Sequence, residues 1–404
     1  MSQFNPIESC RFCGHLALEE VWDLGDQWFA SFLAEGEEGF KAPLVVVLCQ
    51  GCGLAQLKHT VDRDLMYRNY WYRSGTSETM RQELAYVVRS AVAVAQVKPG
   101  DLVLDIGSND GTLLDNYEDG VITRGFEPAA NIKADRRHFT IPDYFSQQTY
   151  QKYWPTESWR ALTVITSVAM FYDVDRPASF IKDIETLLKG DGVWINQMNF
   201  VGPVMRNNAF DFLSHEHLCL WDFPSFNAAV KQVGLEVFDL QELPLNGGTY
   251  RVYLGHRGRR LVSSRVKEYW AKDADFSSVA WRAFRWRVEN NGRRLREIIA
   301  DYRAQGKTVA VLGASTRGNS LLQVYGLSVR ELPYASDRDP NKWGKRMAGT
   351  NIPIVSEEEA RRRKPDGFLI LPYSYLEQIR DREKDYLAQG GRFIIPLPMV
   401  TVIP

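Results

Sequence analysis

Apolar residues after Gly100 fall into short blocks of alternating kind. DLVLDIG, VITRGFEP, ALTVITSV and GVWINQM are compact runs bounded by turn residues, whereas TLLDNY and SFIKDIETLLKG carry their apolar positions at helical spacing. Strands and helices in alternation predict a parallel sheet covered by helices. Ahead of them, ETMRQELAYVVRSAVAVAQ has the three-and-four spacing of an amphipathic helix. An irregular stretch, NFVGPVMRNNAFDFLSHEHLCLW, is followed by a helix at FPSFNAAVKQVG. Two strands, LEVFDLQELP and TYRVYLGHRG, then meet about the Gly247-Gly248 turn. Residues 263–305, rich in Arg and Trp, predict one long amphipathic helix that connects to a second α/β unit. That unit opens with KTVAVLGASTRGNSLLQVYG and runs on through ELPYASDRDP, GFLILPYSY and GGRFIIPLPMV. The expected fold class is α/β, with a small module at 1–75, a central unit at 76–260 and a second α/β unit at 261–404.

Composition narrows the partners. The 404 residues are 45% apolar, enough for two to three cored domains, and 49 Lys and Arg against 50 Asp and Glu leave no basic field for a polyanion. Neither nucleic acid nor a membrane is an expected partner. The longest apolar runs, such as PLVVVLC, are far shorter than a membrane span, and MSQFNPIESC lacks the basic and apolar blocks of a leader, so a soluble cytoplasmic protein is expected.

Four of the five cysteines stand in two pairs, Cys10 and Cys13 in CRFC, Cys49 and Cys52 in CQGC. Two such knuckles offer four thiolates to a tetrahedral zinc and leave it no open position, so the metal is structural. In so small a module the metal supplies much of the folding energy. His15 and His59 lie nearby as alternative ligands, and Cys219 reads as an ordinary thiol.

The segment VLDIGSNDGTLL places a glycine turn after a strand, and Glu127 ends the next strand in RGFEP. Glycine admits a ligand close to the backbone, and an acid at the second strand end binds ribose hydroxyls. The candidate cofactor residues are Asp105, Gly107, Ser108, Asn109, Asp110 and Gly111 in the loop, Glu127 and Pro128 after the second strand, and Ser167 on the fourth. The turn lacks GxGxxG and carries Asp110, which repels a pyrophosphate and suits a sulfonium, so S-adenosylmethionine is expected rather than a dinucleotide.

The four-cysteine module, DIGSNDGTLL, SHEHL and GASTRGN, in that order along the whole chain, resemble the zinc-containing nucleotide-sugar C-methyltransferases. The resemblance implies three domains, a central Rossmann-like S-adenosylmethionine methyltransferase domain among them, a nucleotide-linked 4-keto-deoxysugar as acceptor and C3 as the carbon methylated. The Glu216-His217 pair matches the family. This chain departs from the family tyrosine before the first helix, where it has Thr76, from a histidine after the fourth strand, where it has Tyr172, and from a tyrosine two residues before the pair, where it has Ser214.

Carbon methylation needs a base beside a carbonyl and donors for the enolate oxygen. His217 is the candidate base and Glu216 orients a ring or a sugar hydroxyl. His215, Tyr172 and Thr76 are candidate donors. Tyr70 and Tyr72 are placed at the cleft edge, and Asn246, Arg251 and Arg317 are candidate contacts for the acceptor, the arginines for its diphosphate. A monomer or small homo-oligomer is expected. The rival readings are O- or N-methylation of a related metabolite, a non-catalytic nucleotide-binding or assembly protein, and a nicotinamide oxidoreductase.

Overall fold

The computed structural model describes residues 4–70, 72–133, 137–155 and 161–404; Trp71, between Tyr70 and Tyr72, and the first three residues lie outside them. Seven strands form the central sheet: β1 (Leu102–Ile106), β2 (Ile122–Phe126), β3 (Phe139–Ile141), β4 (Leu162–Val168), β5 (Leu188–Asn199), β6 (Leu235–Leu243) and β7 (Thr249–His256). Their order is β3-β2-β1-β4-β5-β7-β6. The first five pair in parallel, and β7 inserts antiparallel between β5 and β6. The order reverses between β1 and β4, the point at which open α/β sheets bind ligands.

The inner strands are buried on both faces, as a helix-covered parallel sheet requires; Val164, Ile165, Val193, Trp194 and Ile195 are inaccessible to solvent. Each such side chain contributes about 1.5–3 kcal/mol of transfer free energy. Ser77 caps the helix Glu78–Ala95 by accepting from the Met80 N–H, and Leu84, Val87 and Val88 on its inner face join Leu113 and Leu114 over β1. That packing replaces the helix expected at TLLDNY, where only the short turn Leu114–Asn116 forms. With this face already covered and Asn109 and Gly111 in left-handed turns, the segment between them and Tyr117 has no room for a longer helix.

The expected helix over 263–305 is likewise interrupted. It forms as Ser264–Lys272 and Ser278–Ala304, because buried Asp273 turns inward to accept from Arg206 Nη1 at 2.6 Å and from the Tyr250 hydroxyl at 3.2 Å. The second of these helices is a core element as well as a connector, with Trp281, Phe284, Leu295 and Ile299 buried. The irregular stretch before SHEHL holds a short helix, Val201–Arg206.

The outer units are sewn to the central one. Leu18–Trp28, Lys41–Cys49 and Ala55–Leu57 make an antiparallel sheet whose fourth strand, Cys219–Leu220, follows SHEHL directly. Phe32–Leu33 pairs with Arg346–Met347 of the C-terminal unit, whose six-stranded sheet is parallel except for its last strand. One apolar core runs through all three units. Among the described residues no helix is long and apolar enough to cross a membrane.

Candidate active site

The four thiols converge. Cys10, Cys13, Cys49 and Cys52 place their sulfurs within 4.8 Å of one another, with Cys10 to Cys52 at 3.6 Å and Cys13 to Cys49 at 3.5 Å. Four thiolates at about 2.3 Å from a zinc ion form a tetrahedron with edges of about 3.8 Å, so the set fits the metal. Gln56 Nε2 and the Gly51 N–H donate to Cys10 and Cys49 sulfurs, partners that orient ligands and temper their charge. Neither His15 nor His59 belongs to the cluster.

A cavity of about 1090 Å³ opens over the carboxyl ends of β1 and β4 and is lined by all three units, from Phe29 through Glu127 and Glu216 to Arg317 and Tyr375. The loop after β1 turns back at Gly107, whose φ of +73° and close approach to Met170 demand glycine. Glu127 accepts from the Asn109 N–H and the Ala129 N–H, each at 2.8 Å, one on each oxygen. Both oxygens keep a lone pair for a ribose hydroxyl, and burial pushes the carboxyl above its usual range. Gly107, Asn109, Glu127 and Pro128 line the cavity.

The other loop residues serve the scaffold. Asp105 is buried beneath the loop, accepts from Thr166 Oγ1 at 2.6 Å, and is pushed up to about 7 by burial. Asp110, expected to face a sulfonium, instead accepts from the Gly75 N–H at 2.9 Å and from Thr112 Oγ1 at 2.6 Å, and its carboxylate is spent on folding the loop. Ser108 and Gly111 shape the turn, while Ser167 is buried in the sheet, bonded to Asn196 and Trp194.

Within SHEHL, His217 and Glu216 line the cavity and differ in character. His217 stacks on Phe212 at 4.4 Å, meets the Tyr172 ring at 4.2 Å, and directs Nδ1 to the Phe212 carbonyl. That bond fixes Nδ1–H, leaves Nε2 as an acceptor, and burial lowers the ring to about 3. Burial raises Glu216 to about 7. His215 is committed elsewhere: its Nε2 bonds to the Ala42 carbonyl at 3.0 Å and its ring stacks on Phe29.

Tyr70, Tyr72, Tyr172 and Asn246 line the cavity. Thr76 does not; it is exposed and gives its hydroxyl to the Arg73 carbonyl at 2.8 Å. Arg251 is also misplaced by the sequence reading, since it is wholly buried in β7, bonded to Gln197 Oε1 at 2.7 Å and paired with Glu83. Arg317 reaches the cavity, but Asp211 takes Nε and Nη2 and the Asn246 carbonyl takes Nη1.

Three family models match the chain in succession: "Putative zinc binding domain" over residues 10–67, "Methyltransferase domain" over 77–240, and "C-methyltransferase C-terminal domain" over 244–398. The C-methyltransferase NovU of Streptomyces niveus is 31% identical across 98% of this chain and 97% of its own. The chain belongs to the C-methyltransferase family. Solved structures resemble this methyltransferase only slightly. A methyltransferase bound to the Trm112 activator of Haloferax volcanii matches 45% of this chain and 93% of its own at 15% identity and TM-score 0.37. The CurJ carbon methyltransferase matches 45% of this chain and 57% of its own at 11% identity and TM-score 0.32.

S-adenosylmethionine is the methyl donor of this C-methyltransferase, and zinc is its structural metal. Glu127 and the bare backbone at Gly107 suit the donor's nucleoside. The methyltransferase also brings to the cavity residues that no motif marked: Tyr67, Asp173, Asp211, Tyr373 and Tyr375. An aspartate in FYDVD or AFDFL carries no local signature, and only the meeting of three units gives these side chains a common address.

Proposed function

We propose that this enzyme, built of units at 1–75, 76–260 and 261–404, methylates C3 of a nucleotide-linked 4-keto-deoxysugar, with Glu216 as the base. The observation that carries the reading is the placement of Glu216 and His217 in one cavity with the Glu127 nucleoside cradle. A volume of about 1090 Å³ exceeds what one small ligand fills, which supports a donor and a nucleotide sugar side by side.

When bound, S-adenosylmethionine supplies an electrophilic methyl group on a cationic sulfur. Glu127 and Gly107 hold its nucleoside. A base acts best near the pH at which it works, so Glu216 at about 7 is matched to removing a proton from carbon, whereas His217 at about 3 is too weak. His217 instead offers Nε2 to a sugar hydroxyl. The roles expected within the pair are thereby exchanged. With Arg251 buried and Arg317 matched to Asp211, Arg63 and Arg176 are, among the described residues, the cations left on the cavity lining for a diphosphate. Near-equal charge overall favours such a small-molecule acceptor over nucleic acid.

Incubation with S-adenosylmethionine and dTDP- or GDP-linked 4-keto sugars, followed by mass spectrometry and NMR of the product, tests the proposal. A single methyl on the carbon beside the ketone is expected. A methyl found on oxygen or nitrogen overturns it.

A further inference from the structure

The cavity that holds Glu216 also holds a second carboxyl, Asp173. Asp173 ends the short turn Phe171–Asp173 that follows β4, and it lines the cavity together with Tyr67, Tyr70, Tyr172 and Glu216. Its Oδ1 is buried and has no hydrogen-bond partner. An ionised carboxylate in that position would carry a large desolvation cost that the Tyr67 hydroxyl offsets only in part. The Tyr67 hydroxyl beside it has one proton to share between the Asp173 carboxyl and the Glu216 carbonyl, the latter at 3.3 Å, and leaves Oδ1 unpartnered. What Oδ1 lacks is supplied if Asp173 holds its own proton and a ligand oxygen receives it.

We propose that Asp173 is a protonated carboxylic acid that donates to the ketone oxygen of the acceptor as the enolate forms. The inference rests on the carbon-methylation reading above. Glu216 takes the hydrogen from the carbon beside the ketone, the C–H pair becomes the new C=C bond, and the carbonyl π pair moves onto oxygen, which takes the Asp173 proton. As that carbon bonds to the methyl group, the donor's carbon–sulfur bond breaks with its pair left on sulfur. The C=O bond re-forms and the proton returns to Asp173, while Glu216 releases its own proton to solvent.

The surroundings agree with this division of labour. Burial first, then the charge of Glu216, drives Asp173 well above the carboxylate range, with Tyr67 opposing. Asp173 in turn acts on Tyr70, Tyr172 and Cys219, the other ionisable groups near it, while Arg317, which acts on Tyr172, is already matched to Asp211. Two nearby carboxyls held at different proton affinities are the arrangement that assigns one as base and the other as acid.

Infrared difference spectra of the full-length, zinc-loaded enzyme between neutral and alkaline pH decide the protonation state without any substrate. Within the carboxylic acid C=O absorption at neutral pH, to which Glu216 and Asp105 also contribute, a component that persists in Glu216→Gln and vanishes in Asp173→Asn is expected; the absence of any component that Asp173→Asn removes overturns the proposal. Solvent deuterium exchange into a dTDP-linked 4-keto-6-deoxyhexose then reads the donor role. Asp173→Asn, which keeps an N–H donor, slows exchange about tenfold and Asp173→Ala about a hundredfold or more, with unchanged zinc content and S-adenosylmethionine affinity. Wild-type exchange in Asp173→Ala, or equal loss in both variants, also overturns it. No exchange in the wild type with this sugar counts against the acceptor reading alone, and the infrared result still stands or falls by itself.

Discussion

Arg317 of the C-terminal unit grips Asp211 of the central unit with two hydrogen bonds, Nε to Oδ2 and Nη2 to Oδ1, each 3.0 Å long. Tyr373 adds its hydroxyl to the same carboxylate at 2.9 Å. The contact closes one wall of the cavity, so the C-terminal unit takes part in the active site rather than merely following it.

Removing the cation isolates a buried charge. Asp211 has only 3% of its side chain accessible, and Arg317→Ala leaves it without its counter-ion at a cost of about 3–5 kcal/mol. A lower melting temperature is expected in scanning calorimetry, with partial recovery in the Arg317→Ala, Asp211→Asn double variant. An unchanged melting temperature in the single variant contradicts this account.

Glu127 sets the affinity for the methyl donor. Hydrogen bonds to a charged acceptor contribute about 1.5–3 kcal/mol each, so Glu127→Ala is expected to weaken S-adenosylmethionine binding by about 10-fold or more in titration calorimetry. Asp110→Asn bears on loop folding instead, because its partners are Gly75 and Thr112. It is expected to alter stability more than donor affinity.

The raised affinity of Glu216 for its proton has a sign that can be worked out. The folded chain releases this proton near 7, whereas an unfolded glutamate releases it near 4.5. Between those values the folded form binds more protons, so the contribution of this group to stability falls as pH rises through the window and is level outside it. Glu216→Gln removes the penalty. It is expected to be neutral near pH 4 and to stabilise by about 3 kcal/mol near pH 8 in urea unfolding, while losing methyl transfer. In the wild type, activity rises with pH through about 7 as the base ionises. A wild-type profile that is flat there rejects Glu216 as the base.

Removing the metal loosens one unit first. Chelation, or Cys49→Ser, is expected to open residues 4–67 to limited proteolysis while the central sheet keeps its protection, because that sheet buries its own core. Zinc content and fragment masses check the outcome. Simultaneous cleavage of all units contradicts it.

The central sheet was legible because Val, Ile and Leu runs at β1, β4 and β5 are long enough to announce buried strands, and the two cysteine pairs were legible because ligand spacing is local. Where local pattern met tertiary demand, the pattern lost. Asp273 breaks an otherwise helical stretch to reach Arg206, and TLLDNY gives up its helix because the Glu78–Ala95 helix already covers that face. In the site, backbone-defined features such as Gly107 and Glu127 were readable. Arg251 and Thr76 were not, since nothing in a single sequence tells that one is sealed against Gln197 and Glu83 and the other turned back on Arg73. Asp173 was invisible for the opposite reason: its role depends on Glu216, forty-three positions away, and on what is missing around it.

The two-residue strand Cys219–Leu220 limits how such enzymes are rearranged. Transplanting the amino-terminal unit from a relative, or trimming it away at a boundary near residue 77, would remove the neighbour that anchors the chain immediately after Glu216 and His217. Chimaeras that exchange acceptor preference are therefore expected to work when the 210–221 segment travels with the cysteine unit, and to be folded yet inert when the crossover separates them.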